Sequence, residues 1–360
     1  MTDNHFLAAL GDATEPLSRA EIAERSGLSK PAISAAAVRL LERGVIRQVG
    51  IREGRRGGVA TLLAIDSSYG HSLGVAVRPE SVLVRSMDVA GGLIGTWQRE
   101  LGEGAAAEEL VRATNDLIAA ADPGTPLLAA GISLAHAVDS AAGKPVVVSR
   151  SASQRVVFDP VVDLHLGQAG WVRVDNDVNW ATLAEHQQGS LGDCHDFVYV
   201  YCGAGLGAGL YLDGRLYRGA RGLAGEIGYL RDSTDRTKDI TERLAALGLG
   251  ASNRYGLDVA AAETLFAARP LSNLADEILD AVAIGLENIA VTLDPEAFAI
   301  GGPLASCPAF FEGIAARVAE FTTHSPRTVP STSTPLDGAS LTAHAHALEL
   351  AGIPTGRSQS

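Results

Sequence analysis

Cysteine is scarce in this 360-residue chain. The three residues, Cys194, Cys202 and Cys307, never form a C-x-x-C pair. That argues against a disulfide framework and against a cysteine-built zinc site. No apolar run approaches the roughly 20 residues needed to cross a bilayer. Met1–Asp12 is polar and mixed, without the apolar core of a secretion signal. The expected location is therefore the cytoplasm, away from any membrane. Aromatic residues make up only 5% of the chain beside 40 glycines, a bias of composition that carries little about function. A basic surplus is missing too: the formal net charge is −13, which taken whole opposes any contact with nucleic acid.

The charge is unevenly spread. Residues 1–66 hold nine Lys/Arg against eight Asp/Glu, and the remainder holds 20 against 34. Between Lys30 and Arg56 seven basic residues face two acidic ones, Glu42 and Glu53. An acidic body repels DNA, so any DNA contact has to come from this short stretch.

The same segment is patterned as a DNA-binding head spanning residues 1–66. Asn4–Leu10 reads as a short helix. Ser18-Arg-Ala-Glu21 is a capping box that starts a second helix running to about Arg25. Ser26-Gly27-Leu28 makes a tight turn. Ser29 then caps a third helix with Pro31 in its first turn, and Ile33, Ala37, Leu40 and Leu41 share one face of it. Gly44 ends it. Val45–Val49 and Ala60–Ile65 read as two strands joined by a glycine-rich loop with Arg52, Arg55 and Arg56. Helix, turn, helix and basic hairpin form a winged helix-turn-helix. The third helix would enter the major groove. Ser18, Ser29, Lys30, Pro31, Ser34 and Arg39 are its candidate contacts, and Arg52, Arg55 and Arg56 would reach the backbone or minor groove from the wing.

A polar joint, Asp66–Gly70, leads to a body of alternating strands and helices over residues 71–352, with residues 353–360 reading as a disordered tail. Ser72–Val77, Ser81–Ala90 and Leu93–Leu101 read as strands, Ala105–Ala121 as an amphipathic helix, and Pro126–Leu134 as a buried strand. Trp171–Val174 runs into a helix at Val178–Gln187. Asp196–Tyr201 and Ala208–Leu212 are strands around the glycine loop Gly203–Gly209, followed by Leu216–Arg218. Two long helical stretches lie between about Ile240 and Thr292, then a buried strand at Ala297–Gly301. Ser325–Pro335 reads as a loop and Ala339–Leu350 as a final helix. The repeated order suggests a duplicated α/β unit with a cleft between its halves.

The segment Ser18–Arg47, above all "GLSKPAIS" and "LLERGVI", resembles the regulator head of the ROK family (repressors, open reading frames, kinases). Three body motifs extend the resemblance: "DNDVN" at Asp175–Asn179, "GAGLGAG" at Gly203–Gly209 and "GARGLAGEIGYL" at Gly219–Leu230. The resemblance implies a two-lobed actin-like, ribonuclease H-like body. In the kinases of the family the Asn-Asp pair binds sugar hydroxyls and the Asp is the general base. These positions are Asn176 and Asp177 here. Glu226 matches a sugar-binding carboxylate. Tyr229 stands where the family has a histidine that touches sugar and zinc. Gly203, Gly205 and Gly207, with Gly301 and Gly302 after Asp294-Pro295-Glu296, correspond to a nucleotide loop. Their other reading is a tight turn kept for packing, and the sequence favours it slightly.

Departures decide between the family's activities. The outer face of the third head helix carries Ala35 and Ala36 where longer side chains usually read bases, and Gly58-Val59 replaces Arg-Pro in the wing. Ala76 occupies the Asp position of the phosphate motif, which removes an anchor for magnesium and phosphate. The zinc motif is replaced by "RDSTDRTKDITERL", in which Glu242 could stand for its last glutamate. No metal and no cofactor are expected, since zinc requires about four N, S or O ligands. The "PGPVD" loop has become Ala135–Asp139, which offers His136 either as a new ligand contact or as a satisfied structural histidine. The leading expectation is a non-enzymatic repressor, a homodimer or homotetramer, that binds double-stranded operator DNA and senses a small-molecule effector, a sugar or sugar derivative. His136, Asn176, Asp177, Glu226 and Tyr229 are its candidate effector residues, with Asp177 a vestigial base. The alternatives are an ATP-dependent sugar kinase, an orphan regulator without a sugar ligand, and a scaffold that uses the head for protein contacts.

Overall fold

Caps in the sequence fix where each head element begins, and a computed structural model shows them in use. It describes residues 2–53, 59–102, 105–139, 141–146, 158–231, 237–250, 257–268, 270–321 and 325–354. The head contains α1 (Thr2–Gly11), β1 (Leu17–Ser18), α2 (Arg19–Ser26), α3 (Lys30–Glu42), β2 (Ile46–Glu53) and β3 (Val59–Ile65), its sheet ordered β1-β3-β2. Ser18 Oγ accepts from the Glu21 amide at 3.3 Å while the Glu21 carboxylate accepts from the Ser18 amide at 2.7 Å, the reciprocal capping box. Gly27 takes a left-handed φ of 67° to close α2. Ser29 caps α3 through the Ala32 amide. The apolar stripe of α3 is Ile33, Ala36, Ala37 and Leu40, packed with Phe6, Leu7, Leu10 and Ile22. Ala36 thus faces the core, not the outer surface as the sequence reading had it: it lies at i+3 from Ile33 and i−4 from Leu40.

The body confirms the duplication. Lobe one holds β4 (His71–Arg78), β5 (Ser81–Asp88), β6 (Leu93–Glu100), α4 (Ala107–Ala120), β7 (Leu127–Leu134), the small hairpin β8 (Val138–Asp139) and β9 (Lys144–Pro145), α5 (Pro160–Asp163) and β10 (Trp171–Asn176). After α6 (Asp177–Gln188), lobe two holds β11 (Phe197–Cys202), β12 (Leu206–Leu212), β13 (Arg215–Tyr217), α7 (Ile240–Leu244), α8 (Val259–Ala267), α9 (Asn273–Leu293), β14 (Ala297–Gly301), α10 (Pro308–Phe321) and β15 (Arg327–Pro330). α11 (Pro335–Ala351) closes the chain. The main sheets run β10-β7-β4-β5-β6 and β13-β12-β11-β14-β15. In each, the lobe's first strand is central, with two antiparallel strands on one side and two parallel ones on the other. The same topology built twice is the actin-like body.

The first of the two long helical stretches between Ile240 and Thr292 is broken: α7 passes into a wide turn, Ala245–Leu249, where Gly248 takes a φ of 92°, and α8 follows separately, whereas the second stretch is α9, 21 residues without a break. Part of the Ser/Thr/Pro-rich loop is β15, an edge strand parallel to β14 that tolerates Pro330 at its end. Ile353, assigned on sequence to a tail, is 2% exposed and packs inside the head core; residues 355–360 lie outside the described residues.

Two helices lie between the lobes. Trp180 on α6 is fully buried, and its indole N–H donates to the Ile132 carbonyl of β7 at 2.9 Å. α11 crosses α6 backbone to backbone, since a Cβ on Gly338 would sit 1.8 Å from the Trp180 carbonyl oxygen. The far end of α11 enters the head. Ala351 and Ile353, with Val89 from the β5–β6 turn, belong to the same buried cluster as Phe6 and Leu40, and Arg43 donates to the Ala351 carbonyl at 3.3 Å. Among the described residues no helix is long and apolar enough to cross a membrane.

Candidate functional site

Two places collect the chemistry the sequence singled out. On the head, Ser29, Lys30, Pro31 and Ser34 are exposed at the amino end of α3, and Arg39 is exposed further along the same helix. A capped helix start with a free cation beside it suits a phosphate oxygen. Ser18 leaves the set, because it is buried and its hydroxyl is spent on the capping box. Two of the cations have carboxylate partners that the sequence reading missed. Arg39 donates to both oxygens of Asp3 on α1, with Nη2 at 2.5 Å. Arg52 in β2 donates to Glu21 at 2.6 Å. Arg55, Arg56 and Gly58 lie outside the described residues. Ala35 and Val38 complete the outer face of α3, which is small and apolar between its polar ends.

The second place lies between the lobes, where β10 passes into α6. Asn176 is the N-cap: its Oδ1 accepts from the amides of Val178 and Asn179, and its Nδ2 donates to the His136 carbonyl at 3.0 Å. Both ends of the amide are therefore engaged within the chain, and it fastens the loop bearing His136 to the start of α6. Burial pushes the Asp177 carboxyl up to about 6, partly offset by the Val178 amide and the charge of Arg78. From lobe two, Glu226 begins a short helical turn, Ile227–Tyr229. Burial, and then the charge of Asp177, push its carboxyl up to about 7. The charge of one half-buried carboxylate, Asp177, thus reaches the other, Glu226, from across the cleft. Burial holds His136 below the usual imidazole range, which favours the neutral ring. Tyr229 follows three residues after Glu226 and is half-buried.

The phosphate side of the cleft has changed character. Ala76 is 2% exposed in β4, an apolar side chain with nothing to offer a metal. Arg78 stands two residues on, and its charge acts on both Asp177 and Tyr201. The glycine hairpin is held for packing at several points. A Cβ on Gly203 would meet the Tyr201 hydroxyl at 2.5 Å, and one on Gly301 the Tyr199 hydroxyl at 2.1 Å. One on Gly207 would lie 3.1 Å from Val178, and Gly302 takes a φ of 86° against the Cys202 carbonyl. At Gly205 a Cβ would meet nothing within 4 Å. Glu242 does not serve a metal: it forms a capping box with Asp239 at the start of α7. Among the described residues no three His, Cys, Asp or Glu side chains are grouped to hold a metal.

A residue the sequence reading passed over anchors this region. Asp175, the first of the "DND" run, is fully buried. Its Oδ2 accepts from Arg218 Nε at 2.6 Å, with Arg173 at 3.6 Å, and its Oδ1 accepts from Asn176 and Asn179. A carboxylate at the start of a polar run, with its arginine over 40 residues downstream, gave no local signal.

The architecture is thus a winged-helix head on a duplicated, two-lobed actin-like body. The chain carries a ROK family domain, matched at residues 100–246, behind a MarR family winged helix, matched at residues 5–57. It is 27% identical over 218 residues to a xylose repressor of Caldicellulosiruptor bescii, an alignment that covers 59% of this chain and 54% of that protein. The chain thus spans about half the length of that curated relative. In fold it is similar to the crystal structure of a ROK family transcriptional regulator, a homologue of the E. coli MLC protein, with a TM-score of 0.65 and 17% identity over 97% of this chain and 98% of that one. It is also similar to a ROK hexokinase from Thermus thermophilus, with a TM-score of 0.59 and 22% identity over 78% of this chain and 99% of that one. The hexokinase match leaves about a fifth of this chain uncovered, whereas the regulator match takes in nearly all of it.

Proposed function

We propose that this chain is a transcriptional repressor that binds duplex DNA through its head and a small-molecule effector, a sugar or sugar derivative, between its lobes, without phosphoryl transfer. The observation that carries the reading is the exposed, serine-capped start of α3, with Lys30 beside it and Arg39 along the same helix, on a MarR-like head. Phosphate contacts would come from Ser29, Lys30, Arg39 and the wing arginines Arg52, Arg55 and Arg56. Asn176, Asp177, Glu226, Tyr229 and His136 would face the effector, and Gly203, Gly205, Gly207, Gly301 and Gly302 would be the remains of a nucleotide loop. Relatives that include a xylose repressor support the sugar class. A homodimer or homotetramer suits the reading, since paired heads address half-sites about 34–36 Å apart.

The route from site to head is physical. Asp177 opens α6, α6 crosses α11, and α11 ends in the head core. An effector that binds one lobe arrangement better than the other would shift the heads by that difference in affinity and no more.

A second reading, an ATP-dependent sugar kinase, is favoured by Asp177, half-buried at the base position with its carboxyl pushed up to about 6 by burial. Ala76 opposes it, because phosphoryl transfer loses a charge anchor there. Two measurements decide. Fluorescence anisotropy on genomic fragments recovered with the protein should show binding that weakens steeply with salt. A coupled ADP-release assay across a sugar panel should show no turnover. Turnover establishes the kinase, and binding to DNA that is absent at every salt concentration establishes the protein-contact scaffold.

A further inference from the structure

The loop that bears Glu226 is attached to lobe one at two points. It begins at Arg218, directly after β13 of lobe two, and Arg218 Nε donates to the buried Asp175 carboxylate at the end of β10 in lobe one. Four residues on, Gly222 takes a φ of 74° and lies so close to the Val138 carbonyl that a Cβ would fall 1.8 Å from it. Val138 belongs to the stretch that follows His136, and the His136 carbonyl is held by Asn176, the neighbour of Asp175. The contacts close a ring: Arg218 to Asp175, Asp175 to Asn176, Asn176 to His136, and Val138 back to Gly222. His136 and Asn176 sit on this ring, Asp177 follows Asn176 directly, and Glu226 lies four residues beyond Gly222.

The ion pair is of the kind that fixes geometry. Asp175 is 0% exposed and the Arg218 side chain 16%. All of the Asp175 acceptors are used: one oxygen by the Asn176 amide and the Asn179 side chain, the other by the two arginines. A buried pair of this sort adds little net stability against an apolar substitute, but it penalises any arrangement that separates the partners. Planar guanidinium geometry restricts the approach direction as a lysine ammonium would not.

We propose that Arg218 is a positioning residue of the effector site, holding the Glu226 loop of lobe two at a set distance from Asn176 and Asp177 of lobe one by its bond to Asp175. The effector assignment of those three residues rests on the function proposed above; the tie between the lobes does not.

Hydrogen exchange followed by mass spectrometry on the full chain, without ligand, tests it. In Arg218→Met the amides of residues 134–139 and 219–231 should exchange at least about tenfold faster, with the head at residues 2–53 unchanged. Arg218→Lys should fall between. Arg218→Met leaves Asp175 buried with a weaker partner, so the double variant Asp175→Asn/Arg218→Met is the control. Asn keeps an acceptor for Asn176 and Asn179, so the double variant should recover melting temperature relative to Arg218→Met while both segments stay fast. Titration of the Glu226 carboxyl by carbon NMR adds a readout that general loosening elsewhere would not move: it should shift down toward the usual carboxylate range as the loop leaves Asp177. Wild-type exchange in Arg218→Met, or wild-type protection regained in the double variant, overturns the proposal. Failure of every sugar to bind would instead count against the effector reading and leave these rates as they are.

Discussion

Replacing Asp3 by Asn should tighten DNA binding. Arg39, a candidate phosphate contact, is bridged by both oxygens of Asp3 in the free protein. A phosphate must displace that carboxylate, and the displaced charge then stays close to the DNA. Removing it frees one cation per head. Each cation added to the phosphate contacts steepens the slope of log K against log salt by about 0.9. Between 200 and 50 mM salt, a fourfold change, that slope alone is worth a factor of about 3.5. Asp3→Asn should therefore bind a target duplex about two- to fivefold more tightly than the wild type at 50 mM salt, with the gain fading toward 200 mM. Anisotropy titrations across the salt series read this directly. Arg39→Gln supplies the cycle: if the gain comes from releasing Arg39, Asp3→Asn should add little in that background. Asp3 is a cleaner probe than Glu21, whose carboxylate also caps α2. Equal affinity and equal slope for Asp3→Asn and wild type would show that the pair is broken in solution and that Arg39 is not held back.

The other perturbations test packing and titration. Ile353→Ala removes a buried side chain from the head core and should cost about 2–4 kcal/mol, read as a lower melting temperature of the head; no loss would mean that the end of α11 does not dock there. Gly209→Ala puts a Cβ 1.8 Å from the Thr182 hydroxyl of α6, so lobe two must part from α6, at a cost of about 1–3 kcal/mol in a chemical unfolding curve. Glu226→Gln probes the raised carboxyl. A group whose folded pKa is about 7 against an ordinary 4.5 binds protons more tightly when folded, so wild-type stability should fall as pH rises between those values. The Gln variant should melt higher than wild type above pH 7 and show a flatter pH profile. An unchanged profile would refute the burial of that carboxylate.

Legibility followed the range of the interactions. The capping boxes, the turn glycines and the stripe of α3 are decided within four or so residues, so the head could be read almost element by element from the sequence. The duplicated body was legible because each lobe repeats the same order of hairpin, helix and strand. What was missed depends on distant partners. Asp3 meets Arg39 across 36 positions and Asp175 meets Arg218 across 43, and neither carboxylate is marked by its neighbours. The β15 segment has the composition of a loop and becomes a strand only because β14 offers it an edge. Ile353 looks like part of a polar tail until the head core, built some 300 residues earlier, closes over it. Ala36 was misplaced by one step of helical phase, although its spacing from Ile33 and Leu40 already puts it on the buried stripe.

These long-range contacts bear on how a change at the cleft could reach DNA. α11 has 17 residues, about 25 Å at 1.5 Å per residue. Near one end it is held against α6 at Gly338, where the backbones touch, and Arg85 pairs with Asp337 beside that point at 2.7 Å. At the other end Ala351 and Ile353 are built into the head core, so the head cannot stay still if α11 turns. A swing of about 5° at the crossing moves the far end by about 2 Å over that length. The same number applies whether the swing is driven by a sugar or by another ligand, because the lever is defined by packing and not by what occupies the cleft. On the proposed function, specificity for the effector and transmission of its signal would therefore reside in different parts of the chain: the first in Asn176, Asp177, Glu226 and the loop held by Arg218, the second in a helix with an apolar foot in the head.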